Sequence, residues 1–334
     1  MHRKIQTLLA LLVLASLVLA ACGPAATAVP TQAPAEPTGE PTEDVEAQFS
    51  PLNVSGDIIT AGSSTVFPLS ERMAERFREE GFSGNITVDS IGSGAGFERF
   101  CEAGETDISN ASRAIHEDET AACQAIGREP IEFRAGTDAL AVVVSQENDF
   151  VTEVTLAELA QIFSTAVNWS DVRPEWPNEP IQRFSPGTDS GTYDYFVEAV
   201  LDDDPSLIQN SVGTQYSEDD NVLVQGVLGS PYAIGYFGYA YYAENTGTLK
   251  ILTIDGVEPN EVTAEDGSYP LSRPLFIYSD ATLMTEKPQV AAFIHFYLSF
   301  VNEEIVDVGY FPASDAAMQT SWDNFWAALG VPPM

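Results

Sequence analysis

Positive charge is scarce in this chain of 334 residues, in which 14 Lys and Arg stand against 50 Asp and Glu. The resulting formal net charge of −36 argues against nucleic acid as a partner, because phosphate backbones are bound through Lys and Arg. A small anion is not excluded, since backbone dipoles can make a cleft locally positive inside an acidic protein.

Histidine and cysteine are also scarce, with three of each. His2 lies at the N-terminus, and His116 and His295 are isolated, so neither a Ser-His-acid triad nor a set of metal ligands is indicated. Gly-x-Ser-x-Gly and Gly-x-x-x-x-Gly-Lys-Ser/Thr are both absent from the sequence, which argues against a serine hydrolase and against ATP hydrolysis. The sequence therefore predicts no catalytic residue, no metal site and no cofactor.

The N-terminus has the form of an export signal followed by a tether. Arg3 and Lys4 precede an apolar run that ends in Leu-Ala-Ala-Cys at Cys22. This ending resembles a bacterial lipobox, which implies that residues 1–21 are removed and that the sulfur of Cys22 carries lipid. Residues 22–52 are rich in Pro, Ala, Thr and Glu and are predicted to form a disordered tether between membrane and folded protein.

The other two cysteines are Cys101 and Cys123. If Cys22 is modified, these two make a natural pair, and an oxidising compartment would allow a disulfide between them. The alternative is two unpaired buried thiols, as in a cytosolic protein.

Strand, turn and helix alternate through the rest of the chain. Leu69, Met73 and Phe77 recur at the spacing of one helix face, and short apolar runs indicate strands. Strands are predicted at 57–61, 85–91, from 107, at 140–144, 181–184, within 233–242, at 249–254 and at 275–278. This alternation favours a parallel sheet with helices on both faces, in which ligands bind beyond the carboxyl ends of the strands.

Three turns rich in glycine and hydroxyl groups connect predicted strands to helices. They are Gly62–Thr65, Gly92–Gly96 and Gly187–Thr192. A helix N-terminus offers N–H groups without intrahelical partners at the positive end of the helix dipole, which suits an anion. One such turn alone is explained equally well as an ordinary cap or loop. Three together predict a cleft that holds an oxyanion with uncharged donors.

These turns, with Asp107–Arg113 and Gly235–Tyr242, follow the order and rough spacing of a known family. From about residue 55 to the C-terminus, the chain resembles the periplasmic phosphate-binding proteins of Pst-type ABC importers. The resemblance implies an α/β protein with the type II periplasmic binding fold, in which two Rossmann-like lobes are joined by two crossing strands. Phosphate would be buried between the lobes.

The crossings would lie near Leu140 and Leu275. The resemblance then implies a first lobe of residues 53–139 and 276–334 and a second lobe of residues 140–275.

The resemblance assigns phosphate contacts by position to residues from four stretches. They are Ser64, Thr65, Val66 and Phe67, then Ser93, then Ser112 and Arg113, and finally Ser190, Gly191 and Thr192.

Two departures from the family pattern stand out. Better-known members carry an Asp acceptor where this chain has Ser112, and they carry an Arg at the place of Pro186. Arg113 is the candidate replacement for the missing cation. Three acids stay open as acceptors of a phosphate proton: Asp107, Asp189 and Asp220.

The resemblance implies an extracytoplasmic lipoprotein, held at a bacterial membrane through Cys22, that is not an enzyme. It would bind inorganic phosphate and deliver it to the permease and ATPase of an ABC importer. A receptor for another oxyanion, such as sulfate or molybdate, and a phosphate-ester hydrolase remain as alternatives.

Overall fold

The computed structural model describes residues 47–188 and 190–331. The predicted export signal, Cys22, most of the predicted tether and Asp189 lie outside these residues. Within the described ranges, no helix has both the length and the apolar character needed to cross a bilayer.

Eleven strands are present in the described part of the chain. Their bounds are β1 Ile58–Gly62, β2 Ile86–Ser90, β3 Ile108–Ala111, β4 Ile131–Ser145, β5 Glu153–Val154, β6 Gln182–Pro186, β7 Thr214–Ser217, β8 Ala233–Gly238, β9 Leu249–Ile251, β10 Thr253–Ile254 and β11 Ser272–Ser279. Nine of them form one sheet in the order β2-β1-β3-β11-β4-β8-β6-β7, with β9 added beside β4. β5 and β10 form a separate pair.

Helices cover this sheet and connect its strands. They are α1 Phe67–Glu79, α2 Ser93–Phe97, α3 Glu117–Ala125, α4 Leu156–Ile162, α5 Gly191–Val200, α6 Pro205–Gln209, α7 Asp220–Leu228, α8 Tyr239–Glu244, α9 Glu261–Glu265, α10 Ala281–Glu286, α11 Pro288–Val308 and α12 Asp315–Ala328. A π-helical turn at Glu98–Glu102 continues α2. The buried face predicted for α1 is confirmed, because Leu69, Met73 and Phe77 are all fully buried.

The sheet is parallel at its two ends and antiparallel in its middle. β1 pairs in parallel with β2 and β3, and β6 pairs in parallel with β7 and β8. The central strand β11 is antiparallel to both β3 and β4. The prediction of a parallel sheet is therefore wrong for the central strands β11 and β4. There the chain crosses between the half of the sheet that contains β1, β2 and β3 and the half that contains β6, β7 and β8.

β4 is the long crossing strand. Its first part pairs with β11 as far as Ala139, and from Leu140 onward it pairs with β8. The predicted strand covered only residues 140–144, because the preceding residues mix charged and apolar side chains. In the structure β4 extends over 15 residues and belongs to both halves of the sheet.

Two large apolar clusters lie on either side of this change of partner. One contains Phe77, Phe293 and Leu275, and the other contains Ala139 and Trp169. Leu275 and Ala139 each lie in the cluster of the other predicted lobe, so the exact lobe boundaries stay a prediction.

The folded part begins before the predicted start at residue 53. Phe49 is buried, and its ring stacks on His295 with 4.7 Å between the centroids. Phe325 and Trp326 complete this aromatic cluster. Burial there lowers the pKa of His295 to about 4. The last residues of the predicted tether thus belong to the fold, because one aromatic side chain finds a pocket that the surrounding composition did not indicate.

Cys101 and Cys123 are bonded to each other in the structure. The disulfide joins the π-helical turn after α2 to α3, across a sequence separation of 22 residues. A loop of this size stabilises a fold by about 3 kcal/mol in the chain-entropy model.

Candidate functional site

The turn after β1 is fixed by the end of β3. The N–H of Ser63 donates to the main-chain oxygen of Asn110 at 2.9 Å. The side-chain oxygen of Asn110 accepts hydrogen bonds from the hydroxyls of Thr60 and Ser70, at 3.1 and 3.2 Å. Gly62 has a φ of +146°, and a Cβ there would lie 2.0 Å from the main-chain oxygen of Asn110. The close approach requires glycine and holds the first turn at the carboxyl edge of the sheet.

The second turn lies beside the end of β3. The Oγ of Ser93 accepts a hydrogen bond from the N–H of Ser112 at 3.1 Å, and the two hydroxyl oxygens are 3.3 Å apart. A Cβ at Gly96 would lie 2.5 Å from the Cα of Gly62, so α2 packs directly against the first turn. The structure therefore brings the first three stretches predicted from the resemblance to one edge of the sheet.

The third turn approaches the first from the other half of the sheet. Ser190 caps α5 by accepting a hydrogen bond from the N–H of Thr192 at 3.2 Å. A Cβ at Gly191 would lie 2.8 Å from the N and Cα of Thr65, and the Thr65 hydroxyl donates to the Gly191 oxygen at 3.3 Å. The start of α5 thus rests on the turn that begins α1.

Arg273 of β11 lies where these turns meet, and the sequence did not single it out. Its guanidinium donates to the Oγ of Ser112 at 3.3 Å and to the main-chain oxygen of Gly191 at 3.1 Å, and it also contacts the hydroxyl of Thr65. The residue is only 7% exposed. One buried cation therefore touches three of the four stretches of predicted contacts.

Asp138 of β4 is the carboxylate partner of Arg273. The two residues face each other in the β4–β11 register, with 3.2 Å between Nε and Oδ2. Asp138 is fully buried, and its Oδ1 has no hydrogen-bond partner among the described residues. Burial raises the pKa of the Asp138 carboxyl, and the charge of Arg273 opposes that effect. The ring of Tyr195 covers the guanidinium at 3.7 Å, a cation–π contact that further shields the pair.

Two cavities open beside the place where Arg273 meets the turns. The first, of about 380 Å³, is lined by Ser64, Ser93, Ser112, Arg113 and Arg273, among others. The second, of about 430 Å³, is lined by Ser64, Phe67, Ser190, Gly191 and Thr192, together with Asp220. Ser64 belongs to both, and the hydrogen bond from Arg273 to Gly191 joins their walls. The predicted residues are therefore neighbours, but those that line a cavity are divided between the two cavities. Thr65 and Val66 are buried and line neither.

Arg113 is already paired. Its guanidinium binds Glu119 through two hydrogen bonds of 2.7 and 2.8 Å and lies 5.3 Å from the centroid of the Phe97 ring. It faces the first cavity, but its charge is balanced by a carboxylate that belongs to its own half of the sheet. Arg273 fits the role of the missing family cation better, because it contacts the first turn, the third turn and Ser112.

The acids left open by the sequence have different environments. Asp107 pairs with Lys287 at 2.6 Å and accepts the N–H of Ile59 at 3.0 Å, and it lines neither cavity. Asp220 lines the second cavity, where burial raises its pKa to about 6. Asp138 is the acid next to the buried arginine, and no sequence motif pointed to it. Asp189 lies outside the described residues.

Within residues 47–188 and 190–331, no group of three His, Cys, Asp or Glu side chains is arranged to hold a metal ion. A junction of two α/β halves, lined by hydroxyls and helix N-termini around one buried arginine, defines a substrate-binding protein suited to an anion.

The chain belongs to the PBP superfamily, since the family model described as "PBP superfamily domain" matches residues 31–300. Protein SphX of Synechococcus elongatus is 43% identical over 284 residues, covering 80% of this chain and 81% of the relative. The phosphate-binding protein PstS of Staphylococcus saprophyticus is 35% identical over 274 residues, covering 80% and 84%.

Comparison with solved structures points to the same family. A crystal structure of a possible phosphate binding protein from Planctomyces limnophilus has a TM-score of 0.74 and 40% identity, covering 83% of this chain and 99% of that one. A putative phosphate ABC transporter substrate-binding protein from Clostridium perfringens, solved with bound phosphate, has a TM-score of 0.53 and 26% identity, covering 77% and 100%. The predicted fold class and family are thereby confirmed.

Proposed function

We propose that this protein binds inorganic phosphate at the junction of its two halves and delivers it to an ABC importer. The observation that carries the proposal is the position of Arg273, whose guanidinium contacts Thr65, Ser112 and Gly191 at once. Relatives named as phosphate-binding proteins support phosphate as the ion.

The proposed donors come from both halves of the sheet. From one half they are the hydroxyls of the first three stretches and the N–H groups that begin α1, and from the other half they are the groups at the N-terminus of α5. The full set is Ser64, Thr65, Val66, Phe67, Ser93, Ser112, Ser190, Gly191 and Thr192, with Arg273 as the central cation and Arg113 at the wall of the first cavity.

Uncharged donors can hold such an ion in an acidic protein because hydrogen bonds to a charged partner are stronger than those between neutral groups. The fold also holds the backbone of these donors in place, which limits the cost of ordering them on binding. Arg273 adds one positive charge that Asp138 partly balances. The ion pair keeps the guanidinium in place and leaves its outer N–H groups facing the turns.

Family membership supports binding and delivery rather than catalysis. A permease and an ATPase are the proposed membrane partners, and the proposed location is outside the cytoplasm, with lipid on Cys22 and a disulfide between Cys101 and Cys123. The proposed lobes are residues 53–139 with 276–334, and 140–275.

Calorimetry on the purified protein tests the ion. We expect saturable heat with phosphate and much weaker binding of sulfate and molybdate. Equal or tighter binding of sulfate or molybdate would assign the site to another oxyanion. Phosphate release from a chromogenic ester, measured in parallel, would instead favour the hydrolase.

A further inference from the structure

α5 carries two carboxylates that contact the proposed donors. Asp194 accepts a hydrogen bond from the hydroxyl of Ser64 at 2.8 Å. Glu198 lies four residues later on the same helix face, and its Oε2 is 3.4 Å from Nη1 of Arg273. Both acids line the first cavity. Two groups that would donate to a bound anion are therefore engaged by the side chains of one helix.

The charges around the first cavity show that these contacts are not needed to neutralise its cations. Arg113 has Glu119 as a close partner, and Arg273 has Asp138. The pKa of Arg113 is raised first by its hydrogen bond to Glu119, and the charge of Glu198 adds to the effect. Glu198 is thus an additional negative charge that acts on both arginines.

Asp194 and Glu198 are also easy to displace. Both residues are exposed, and the Glu198 side chain retains 56% of its accessible surface. The hydrogen bond to Asp194 and the ion pair of Glu198 are therefore weak, because water competes for the two exposed carboxylates. Either carboxylate can rotate into solvent without leaving a buried charge, in contrast to Asp138.

We propose that Asp194 and Glu198 act as internal competitors of the anion. They occupy the Ser64 hydroxyl and the outer N–H of Arg273, hold the start of α5 against the first turn, and give way when phosphate binds. Their displacement lowers the net affinity. This inference rests on the proposed phosphate function, because the competition concerns the same donors.

Charge-neutral variants test the competition directly. Phosphate affinity is measured by calorimetry at fixed pH and ionic strength for Glu198→Gln, Asp194→Asn and the double variant. We expect each single change to tighten binding about threefold and the double change about tenfold, as for the loss of one or two exposed ion pairs. Glu71→Gln, an exposed acid on α1, is the matched control for net charge and should leave affinity unchanged.

Small-angle scattering supplies a readout that does not depend on the proposed ion. Without phosphate, the double variant should have a larger radius of gyration than the unmodified protein, because two contacts between the halves are weakened by the loss of the carboxylate charge. Unchanged or weaker phosphate binding in the variants would overturn the competition and indicate that the carboxylates accept hydrogen bonds from the ion. An unchanged radius would overturn their role in holding α5. Absence of phosphate binding by the unmodified protein would count against the proposed function instead, and the scattering comparison would still report on the contacts.

Discussion

Two buried arginines in this protein have partners of different kinds. Arg183 of β6 is completely buried and donates to main-chain oxygens only, those of Ile162, Ile181, Ala166 and Val212. Arg273 of β11 is almost as buried but contacts two carboxylates, two hydroxyls and one main-chain oxygen. Both are large cations removed from water, yet only the second lies beside a cavity lined by the predicted turns.

The difference lies in whether the partners can be exchanged. Carbonyl groups of the backbone cannot leave Arg183, so its N–H groups are permanently engaged, and burial lowers its pKa to about 10. The hydroxyls around Arg273 can rotate and can donate to an anion in place of their present partners. Burial alone therefore does not distinguish a structural arginine from a binding arginine, whereas the chemistry of its partners does.

The largest expected effect is a loss of stability when Arg183 is replaced. Arg183→Met keeps most of the side-chain volume but leaves several buried carbonyl oxygens without donors. We expect a loss of about 3–5 kcal/mol in the free energy of unfolding, measured by urea denaturation, since each unsatisfied buried group costs about 1–3 kcal/mol. A loss below about 1 kcal/mol would show that these carbonyls find other donors and would weaken the comparison.

At the second arginine, the main effect should be on binding. Because Arg273→Met alone would leave Asp138 buried without its partner, the test variant combines Arg273→Met with Asp138→Asn. We expect phosphate affinity to fall about 10- to 100-fold, the range for losing a hydrogen bond to a charged group. The control is Arg113→Met, which should change affinity much less because Glu119 already holds that guanidinium. Equal losses in both would remove the distinction between the two cations of the cavity.

A smaller effect is expected at a hydroxyl that contacts Arg273. Thr65→Val removes the hydroxyl and keeps the shape of the side chain, so phosphate binding should weaken by about 0.5–1.5 kcal/mol, the net contribution of one typical hydrogen bond. Thr65→Ser keeps the hydroxyl and should bind within a few-fold of the unmodified protein. Calorimetry on the pair separates loss of the donor from loss of packing, and similar losses in both variants would argue for packing.

The smallest effect is a pH-dependent one in the second cavity. Asp220 has its pKa raised from 3.8 to about 6, first by burial and then by Asp219. Its ionised form therefore disfavours the fold, with a penalty that is absent below about pH 4, grows up to pH 6 and is constant above that. Asp220→Asn should raise the melting temperature at pH 8 and have no such effect at pH 4. A gain that is equal at both pH values would exclude titration of Asp220 as its cause.

Much of this arrangement could be predicted because its signals are local. Each Gly- and hydroxyl-rich turn stands next to a strand and before a helix, and the apolar face of α1 is readable from a spacing of four residues. Arg273 and Asp138 carry no such signal. They become partners only through the register of β4 with β11, which also shifts between Leu275 and Phe276.

One signal was nevertheless available in the sequence. The chain has only 14 Lys and Arg residues, so an arginine as close to a predicted crossing strand as Arg273 is uncommon and indicates a special role. Phe49 had no comparable signal, because its pocket is built by α11 and α12, far along the chain.

The ion pair of Asp138 and Arg273 lies two residues before Leu140, where β4 exchanges β11 for β8. The ion pair therefore lies on the same stretch of backbone that joins the two halves of the sheet. Any rotation about these two strands would sweep α5 through an arc while leaving the guanidinium close to the axis. A captured ion would thus stay nearly stationary while the far wall swings toward it.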